Sequence, residues 1–586
     1  MLLSSGMVRS LIHLPDEILN SVLCYSSPRS CAALEQTNTR FRPVTNEPLL
    51  WRQYCQSHYK FWDNRHEIRQ KLSRPVQSTD WKALFVSRYL VDCSVTRILG
   101  SILDSQTGRI EKFRSVVDLG YDAKDTLLRH GRVNFGDDVL ARRYYARALL
   151  TCLHRSIAIP EWVKVRRGEP VELERALGCF DLFVPGKEYG DLDEIQDSLT
   201  GILHRFVTSC TDLVFLSPRG KALAIASWLE VNGLTGIDPG REYHTLDHNF
   251  LGMALQNTGH NSLPLVSAVI FCFVARGIGL NAQPCGFPFH VHVIVTPQPG
   301  LDMEGNTVAE DMKGEPLYLD PFRGARETPV SALRSQLAFL GMSTQDQITT
   351  LGESDTSAVV LRCGKNILNS IRLESQHPEA LNTSMDVVSA KYAAIWSVML
   401  LSSDSRPTDL RHHLPRLMEL FVADFPSDLF LIEKYIVPLF QGLYEHEHIL
   451  ERLHVMKTVD EIPKRVRRRS EGNTSIRYAV GQVFRHRRYN YTAVITGWDS
   501  ECGAGEPWMT RMGIDRLEAG RHQSFYHVLV EDRSVRYVAE ENVELILLNF
   551  TELPGSLTAI AGKHFKRWDE NNLMFVSNMK DEYPND

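Results

Sequence analysis

Several things are scarce in this chain. Its eleven cysteines, spread over 586 residues, form no Cys-x-x-Cys pair and have no histidine at zinc-ligand spacing. Neither a zinc site nor a redox dithiol motif is therefore written in it. The odd count argues against a fully paired disulfide framework and for a reduced chain. Charge of one sign is also missing: 65 basic side chains face 71 acidic ones, for a net of −6. No global field draws such a chain to nucleic acid or to an anionic membrane, and any binding of that kind has to be local. The longest apolar run, Leu263 to Ala275, ends at Arg276 and falls short of the ~20 residues of a membrane-spanning helix. It reads as a buried helix. Met1 to Arg9 lack the basic region, apolar run and cleavage site of a secretory signal. The expectation is a protein of the cytoplasm, the nucleus or both, with no membrane partner.

What is present is enough for several domains, since 586 residues with 43 % hydrophobic content is several times the roughly 150 residues of one domain. The N-terminal stretch Leu14-Pro-Asp-Glu-Ile-Leu19 places Pro15, Asp16 and Glu17 at a helix start, where the dipole favours negative charge. Two further short helices follow, and Leu50-Trp51 closes the unit. This pattern resembles the F-box motif, expected here over residues 9–58 as a three-helix module. The resemblance implies docking on a Skp-type adaptor bound to a cullin, with Leu14, Pro15, Ile18, Leu19, Leu50 and Trp51 as anchors.

Residues 81–172 read as a helical region, with apolar residues at three- and four-residue spacing over Tyr89 to Leu103 and Leu140 to His154. Ser262-Leu-Pro-Leu-Val-Ser-Ala268, Arg276-Gly-Ile-Gly-Leu280, Pro288-Phe-His-Val-His-Val-Ile-Val295 and Leu317-Tyr-Leu-Asp-Pro-Phe-Arg-Gly324 come next, in the order helix, strand, strand. They resemble the transglutaminase-like domain of the bacterial invasion-regulator B type, expected over residues 173–330 as an α+β core. In that wider group a cysteine at the helix start is activated by the helix dipole and a histidine, which an aspartate orients. His290 and Asp320 match the histidine and aspartate, but no cysteine stands at the helix start. Cys272 lies mid-helix in apolar surroundings and Cys285 in a turn, while Ser262 ahead of Leu263-Pro264 suits an N-cap and Ser267 follows one turn on. His290 and His292 share one strand face but find no third metal ligand. A non-catalytic domain is expected, with no cofactor and no metal. The alternative is a cysteine or serine hydrolase or transferase using His290 and Asp320.

Helical hairpins are expected over residues 331–460, with helices at Val387 to Leu401, His413 to Phe421 and Leu429 to Leu453. A basic and polar linker follows at residues 461–474, containing Pro463-Lys-Arg-Val-Arg-Arg-Arg469 and Ser470-Glu-Gly-Asn-Thr-Ser475. It reads as a solvated joint, with an import signal or anion-binding patch as the alternative. Beyond it, Val480, Val483, Thr492, Val494, Tyr526, Val528 and Val530 alternate with the period of half-buried strands. Gly481-Gln-Val-Phe-Arg-His486, Gly497-Trp-Asp499, Pro507-Trp508 and Tyr526-His-Val528 resemble the YccV-like, or hemimethylated-DNA-binding, domain, a small β-barrel expected over residues 475–548. Residues 549–586 form an aromatic tail that packs on the barrel.

Between Ser475 and Leu545 nine arginines and no lysine face ten carboxylates, which is not the basic surface DNA requires. Arg485, Arg487 and Arg488, beside Tyr489 and Tyr491, are the candidate DNA- or anion-binding residues. Taken together, the chain resembles F-box-only proteins that combine F-box, transglutaminase-like and YccV-like domains. That resemblance implies a multidomain α+β substrate-recognition subunit of an SCF-type (Skp-cullin-F-box) ubiquitin ligase. It would bind the adaptor through the F-box and protein substrates through the two later domains. A DNA-binding module through the YccV-like domain is the second alternative.

Overall fold

The computed structural model describes residues 11–184, 191–308, 314–376, 385–402, 407–469 and 476–586. Residues 9 and 10 of the expected F-box, and Ser470 to Ser475 of the expected linker, lie outside them. The chain divides into two compact units, one made of Met1–Leu153 with Leu450–Asp586 and the other of His154–Ile449.

In the first unit, α1 (Asp16–Cys24), α2 (Pro28–Thr37), the single turn α3 (Arg42–Thr45) and α4 (Pro48–His58) open the chain. Prolines at the first helical position of α2 and α4 cost no hydrogen bond there, and the Ser27 hydroxyl caps α2 by accepting from Ser30 N at 3.0 Å. Leu19 and Leu23 of α1, one turn apart, bury against Cys31, Phe41, Val44, Leu50, Trp51 and Tyr54. Trp51 Nε1 donates to Thr45 O at 2.6 Å and Tyr54 Oη to Leu23 O at 2.6 Å, so both polar tips are satisfied inside this core. Trp81 and Phe85, from the long helix Trp81–Asp104, complete it. The module therefore does not close at residue 58.

The second unit is built round buried helices. Leu173–Phe183 is buried on nearly every side, as are Pro264–Gly277 and Val387–Leu401. The latter two are apolar nearly all round, whereas in Leu173–Phe183 the buried Glu174 pairs with Arg276 and Asp181 accepts from Met253 N. A three-stranded antiparallel sheet, β1 (Asn281–Pro284), β2 (Val293–Thr296) and β3 (Leu317–Leu319), runs in the order β1-β2-β3. Its register sets Val293 opposite Leu319. The helix expected over Leu429 to Leu453 is broken into short turns before the helix Glu445–Glu461. Pro438 removes a backbone donor and Gly442, at φ +80°, turns the chain.

The C-terminal part of the first unit holds an antiparallel sheet of β4 (Val483–His486), β5 (Thr492–Asp499), β6 (Phe525–Val530), β7 (Val535–Ala539) and β8 (Val543–Leu545), in the order β7-β6-β5-β4-β8. A register shift between Ile495 and Gly497 bends β5. The hydrophobic core does not stop at residue 548. Leu553, Leu557, Ala561, Phe565, Phe575 and Tyr583 belong to the same cluster as Val483, Trp498 and Tyr526, and β9 (Phe565–Asp569) pairs with β10 (Met574–Ser577). The tail explains two motif glycines. Gly481 has φ +96° and its missing Cβ would overlap the Phe575 carbonyl, while a Cβ on Gly497 would meet Tyr583 Oη at 2.5 Å.

The basic segment is only partly a solvated joint. Arg469 donates to Asp586 Oδ1 at 2.9 Å, to Ile476 O at 3.2 Å and to Tyr478 O at 2.6 Å. Arg467 donates to Trp498 O at 2.7 Å and pairs with Asp499. Lys464, Arg465 and Arg468 face solvent. Tertiary partners thus split the cluster into Arg467 and Arg469, which strap the sheet, and three outward charges.

Candidate functional site

Helical phase splits α1 into two faces. Leu19 is 2 % exposed in the module's own core, whereas its neighbour Ile18 is 49 % exposed. Ile18 and Val22, one turn apart, continue an apolar surface that includes Pro15 in the preceding turn, and Leu11, Ile12 and Leu49 are exposed as well. Leu14 is half-buried, and Arg40 holds the start of α1 by pairing with Asp16 and donating to Leu14 O at 3.3 Å. Of the six expected anchors, Leu19, Leu50 and Trp51 are thereby corrected. Each is 3 % exposed or less, so they hold the module together and offer no surface to a partner.

In the second unit, His290 and His292 lie ahead of β2 rather than on it, which corrects their expected shared strand face. The chain makes a tight turn in which His290 N donates to Pro288 O at 2.8 Å and Phe289 takes a left-handed φ of +64°. Cys285 N then donates to His292 O at 2.7 Å and the ladder resumes. Asp320 follows directly after β3, across from this segment, and His290 Nε2 lies 2.7 Å from Asp320 Oδ2. Aromatic rings surround the pair, with Phe322 5.8 Å from His290 and Phe287 5.2 Å from His292, centroid to centroid.

Burial pushes the His292 imidazole down to about 4, which keeps it neutral at pH 7. Its Nδ1 and the second oxygen of Asp320, Oδ1, are buried without a hydrogen-bond partner among the described residues. Both residues line a pocket of about 730 Å3 whose rim carries Phe289, Arg323, Arg326, Phe339 and Leu340.

Neither Ser262, Ser267, Cys272 nor Cys285 lines that pocket. Ser262 does not cap the helix Pro264–Gly277 as its position suggests. Leu263 takes the cap position without a side-chain bond, and Ser262 Oγ lies 2.7 Å from Ser267 Oγ, both residues fully buried. Ser267 Oγ also accepts from Gly236 N at 3.2 Å. Burial raises the Cys272 thiol, and pushes Cys285 up to about 11, which leaves both as thiols at neutral pH.

On the C-terminal sheet, Arg485 points outward from β4 between buried Phe484 and His486. Arg487 and Arg488 follow in the exposed turn, where His486 Nδ1 accepts from the backbone of Arg488 and Tyr489 at 3.2 Å each. Arg488 lies over the Tyr489 ring at 5.4 Å. All three arginines are exposed, and the strand register sets Arg485 opposite Glu544, which trims its positive field.

Comparison with known families matches residues 11–57 to the F-box-like family, 221–364 to the transglutaminase-like superfamily and 476–572 to the family of the hemimethylated DNA-binding protein YccV. The chain carries F-box-like, transglutaminase-like and YccV-like domains, in that order. Over its whole length it is similar to F-box only protein 21 of Homo sapiens, Pongo abelii and Mus musculus, being 23 % identical to each over 98 % of this chain and 92 % of the relative. No solved structure matches it.

The chain also presents residues that its local sequence pattern does not mark for function. Phe339 falls two positions beyond Leu337 in the helix Val330–Phe339, whose buried stripe is Leu333 and Leu337. Its phase alone, about 200° from Leu337, marks it as outward. Phe289 has no such signal, because its exposure follows from the left-handed turn. Among the described residues no group of three or more His, Cys, Asp or Glu side chains could hold a metal ion, and no helix is long and apolar enough to cross a membrane.

Proposed function

We propose that this F-box protein is the substrate-recognition subunit of an SCF-type ubiquitin ligase, working in the cytoplasm, the nucleus or both. It docks a Skp-type adaptor, and through it a cullin, by the F-box, and takes protein substrates through its transglutaminase-like and YccV-like domains. The observation that carries this reading is the surface formed by Pro15, Ile18 and Val22, an apolar face left over after the module's own core is filled by Leu19, Leu23, Leu50 and Trp51. Such a face on an otherwise complete core is what a partner interface needs.

The transglutaminase-like domain acts here without a covalent step. His290 and Asp320 make the bond of a base and its orienting acid, which favours a hydrolase as the second reading. Against it, Ser262 and Ser267 are buried, bonded to one another and absent from the pocket lining, and burial keeps the Cys272 and Cys285 thiols protonated. Arg485, Arg487 and Arg488 make too small a patch, facing too many carboxylates, to release many counterions from DNA.

The test is a pull-down of the full chain with purified Skp-type adaptor and cullin. Wild type is expected to bind, and an Ile18→Glu, Val22→Glu variant is expected to lose binding while keeping its unfolding midpoint. A folded wild-type protein that binds no adaptor defeats the proposal, and turnover of a thioester or amide that His290→Ala abolishes would install the hydrolase in its place.

A further inference from the structure

The pocket beside His290 combines three features that no intramolecular contact explains. Its floor is lined by His292 and Asp320, each 6 % exposed, and each leaves one buried polar atom without a hydrogen-bond partner among the described residues: Asp320 Oδ1, an acceptor, and His292 Nδ1, which donates or accepts according to the imidazole tautomer. Buried polar atoms in folded proteins are nearly always paired, so two orphans on residues that line one pocket mark a place where a ligand supplies the partners. Its rim is apolar: Phe289 is 86 % exposed, Phe339 92 % and Leu340 48 %. Its unspent charge is positive. Arg323 is held only by Asp320 at 3.7 Å with its side chain 71 % exposed, Arg326 is exposed with no ion pair among the described residues, and the one acidic rim residue, Glu327, is engaged by Arg219.

We infer that this pocket binds an acidic linear peptide bearing an aromatic or branched aliphatic side chain. The inference rests on the substrate-receptor reading and says where, and by what chemistry, a substrate is taken. The backbone of an extended segment offers neutral N–H and C=O groups, the N–H to meet Asp320 Oδ1 and either group to meet His292 Nδ1. The apolar side chain packs between Phe289 and Phe339, and flanking Asp or Glu residues pair with Arg323 and Arg326. A lysine-rich segment would meet the guanidinium groups of Arg323 and Arg326 at the rim. A nucleic acid would satisfy the arginines but bring phosphate toward the Asp320 carboxylate on the floor, so peptide is the better complement. The 730 Å3 volume accommodates one or two side chains with their backbone.

The experiment selects a phage-displayed random octamer library on the full-length protein, with an Arg323→Glu, Arg326→Glu variant as counter-selection. The most enriched octamer is then synthesised with a fluorescein label and titrated by fluorescence polarisation. Enriched octamers are expected to carry net negative charge around Phe, Leu or Ile. Affinity should fall at least tenfold in the double arginine variant and several-fold in a Phe289→Ser, Phe339→Ser variant. All four positions are exposed, so both variants should keep the wild-type unfolding midpoint and adaptor binding. No enrichment, enrichment of neutral or basic octamers, equal binding by the arginine variant, or arginine-dependent binding of a labelled dT12 oligonucleotide would each overturn the inference. Adaptor pull-down separates the two readings: if it succeeds while the pocket proves inert, only this inference falls, and if it fails the receptor reading falls with it.

Discussion

Ile18 and Leu19 are consecutive in α1, yet about 100° of helical rotation separates their side chains, and their truncation should have opposite consequences. Leu19 is 2 % exposed and packs in the cluster of Leu23, Phe41, Val44, Trp51 and Tyr54. Leu19→Ala removes buried methyl groups and leaves a cavity, a change that costs about 2–5 kcal/mol. Ile18 is half exposed in the free protein, so Ile18→Ala should change stability by no more than about 0.5 kcal/mol. At a partner interface the same truncation should cost about 1 kcal/mol or more, a loss of roughly five- to tenfold in affinity. Hydrogen exchange on the full chain reads the first quantity. Amides of α1 and α4 should lose at least about 30-fold in protection in Leu19→Ala, the equivalent of about 2 kcal/mol, and none in Ile18→Ala. Adaptor titration by calorimetry reads the second, with Ile18→Ala weakened and its α1 protection intact. If Ile18→Ala loosens α1 as much as Leu19→Ala does, or if it binds adaptor like wild type, the division of α1 into a core face and a docking face is wrong.

Two further predictions concern the C-terminal sheet. Gly481→Ala puts a side chain at φ +96° into the Phe575 carbonyl and should cost about 1–3 kcal/mol from the backbone alone, seen as early loss of exchange protection in β9 and β10. Asp499 is held at about 2, because hydrogen bonds from His527 and Tyr537 and the nearby Arg467 charge outweigh the burial that acts to raise it. Its folded value lies below its unfolded one, so its contribution is present above pH ~4 and is lost as the pH falls toward 2. Asp499→Asn should therefore lower stability by about 2 kcal/mol at pH 6, with the gap to wild type closing in acid. A gap that stays constant from pH 6 to pH 2 in denaturant titrations would show that the charge is not what matters.

Local pattern makes much of this protein legible. The helix Val387–Leu401 starts and stops where its apolar run does, Pro264 marks the start of the helix Pro264–Gly277, and period-two alternation locates β4, β5 and β6. The pairing of His290 with Asp320 is what the resemblance to transglutaminase-like domains implies, and the two side chains do meet at 2.7 Å. Contacts remote in sequence are not legible in this way. Nothing near Gly481 or Gly497 in sequence announces Phe575 and Tyr583, about 90 residues on, as the reason for their lacking a side chain. Likewise Arg467 and Arg469 read as a charge run until Asp499 and Asp586 are brought to them.

By itself, then, the sequence determined the type of most elements, because propensity, capping and hydrophobic period act within a turn or a strand pair, and its motifs, through their resemblance to known families, marked the three modules, their order and the residues in which to look for chemistry. Tertiary structure alone decided which of those residues face outward. It turned Leu19, Leu50 and Trp51 into core and left Pro15, Ile18 and Val22 as surface. It also left unpaired polar atoms on two residues that line one pocket and set Phe289 on its rim. Burial is a sum over neighbours distant in the chain, and no local pattern contains that sum.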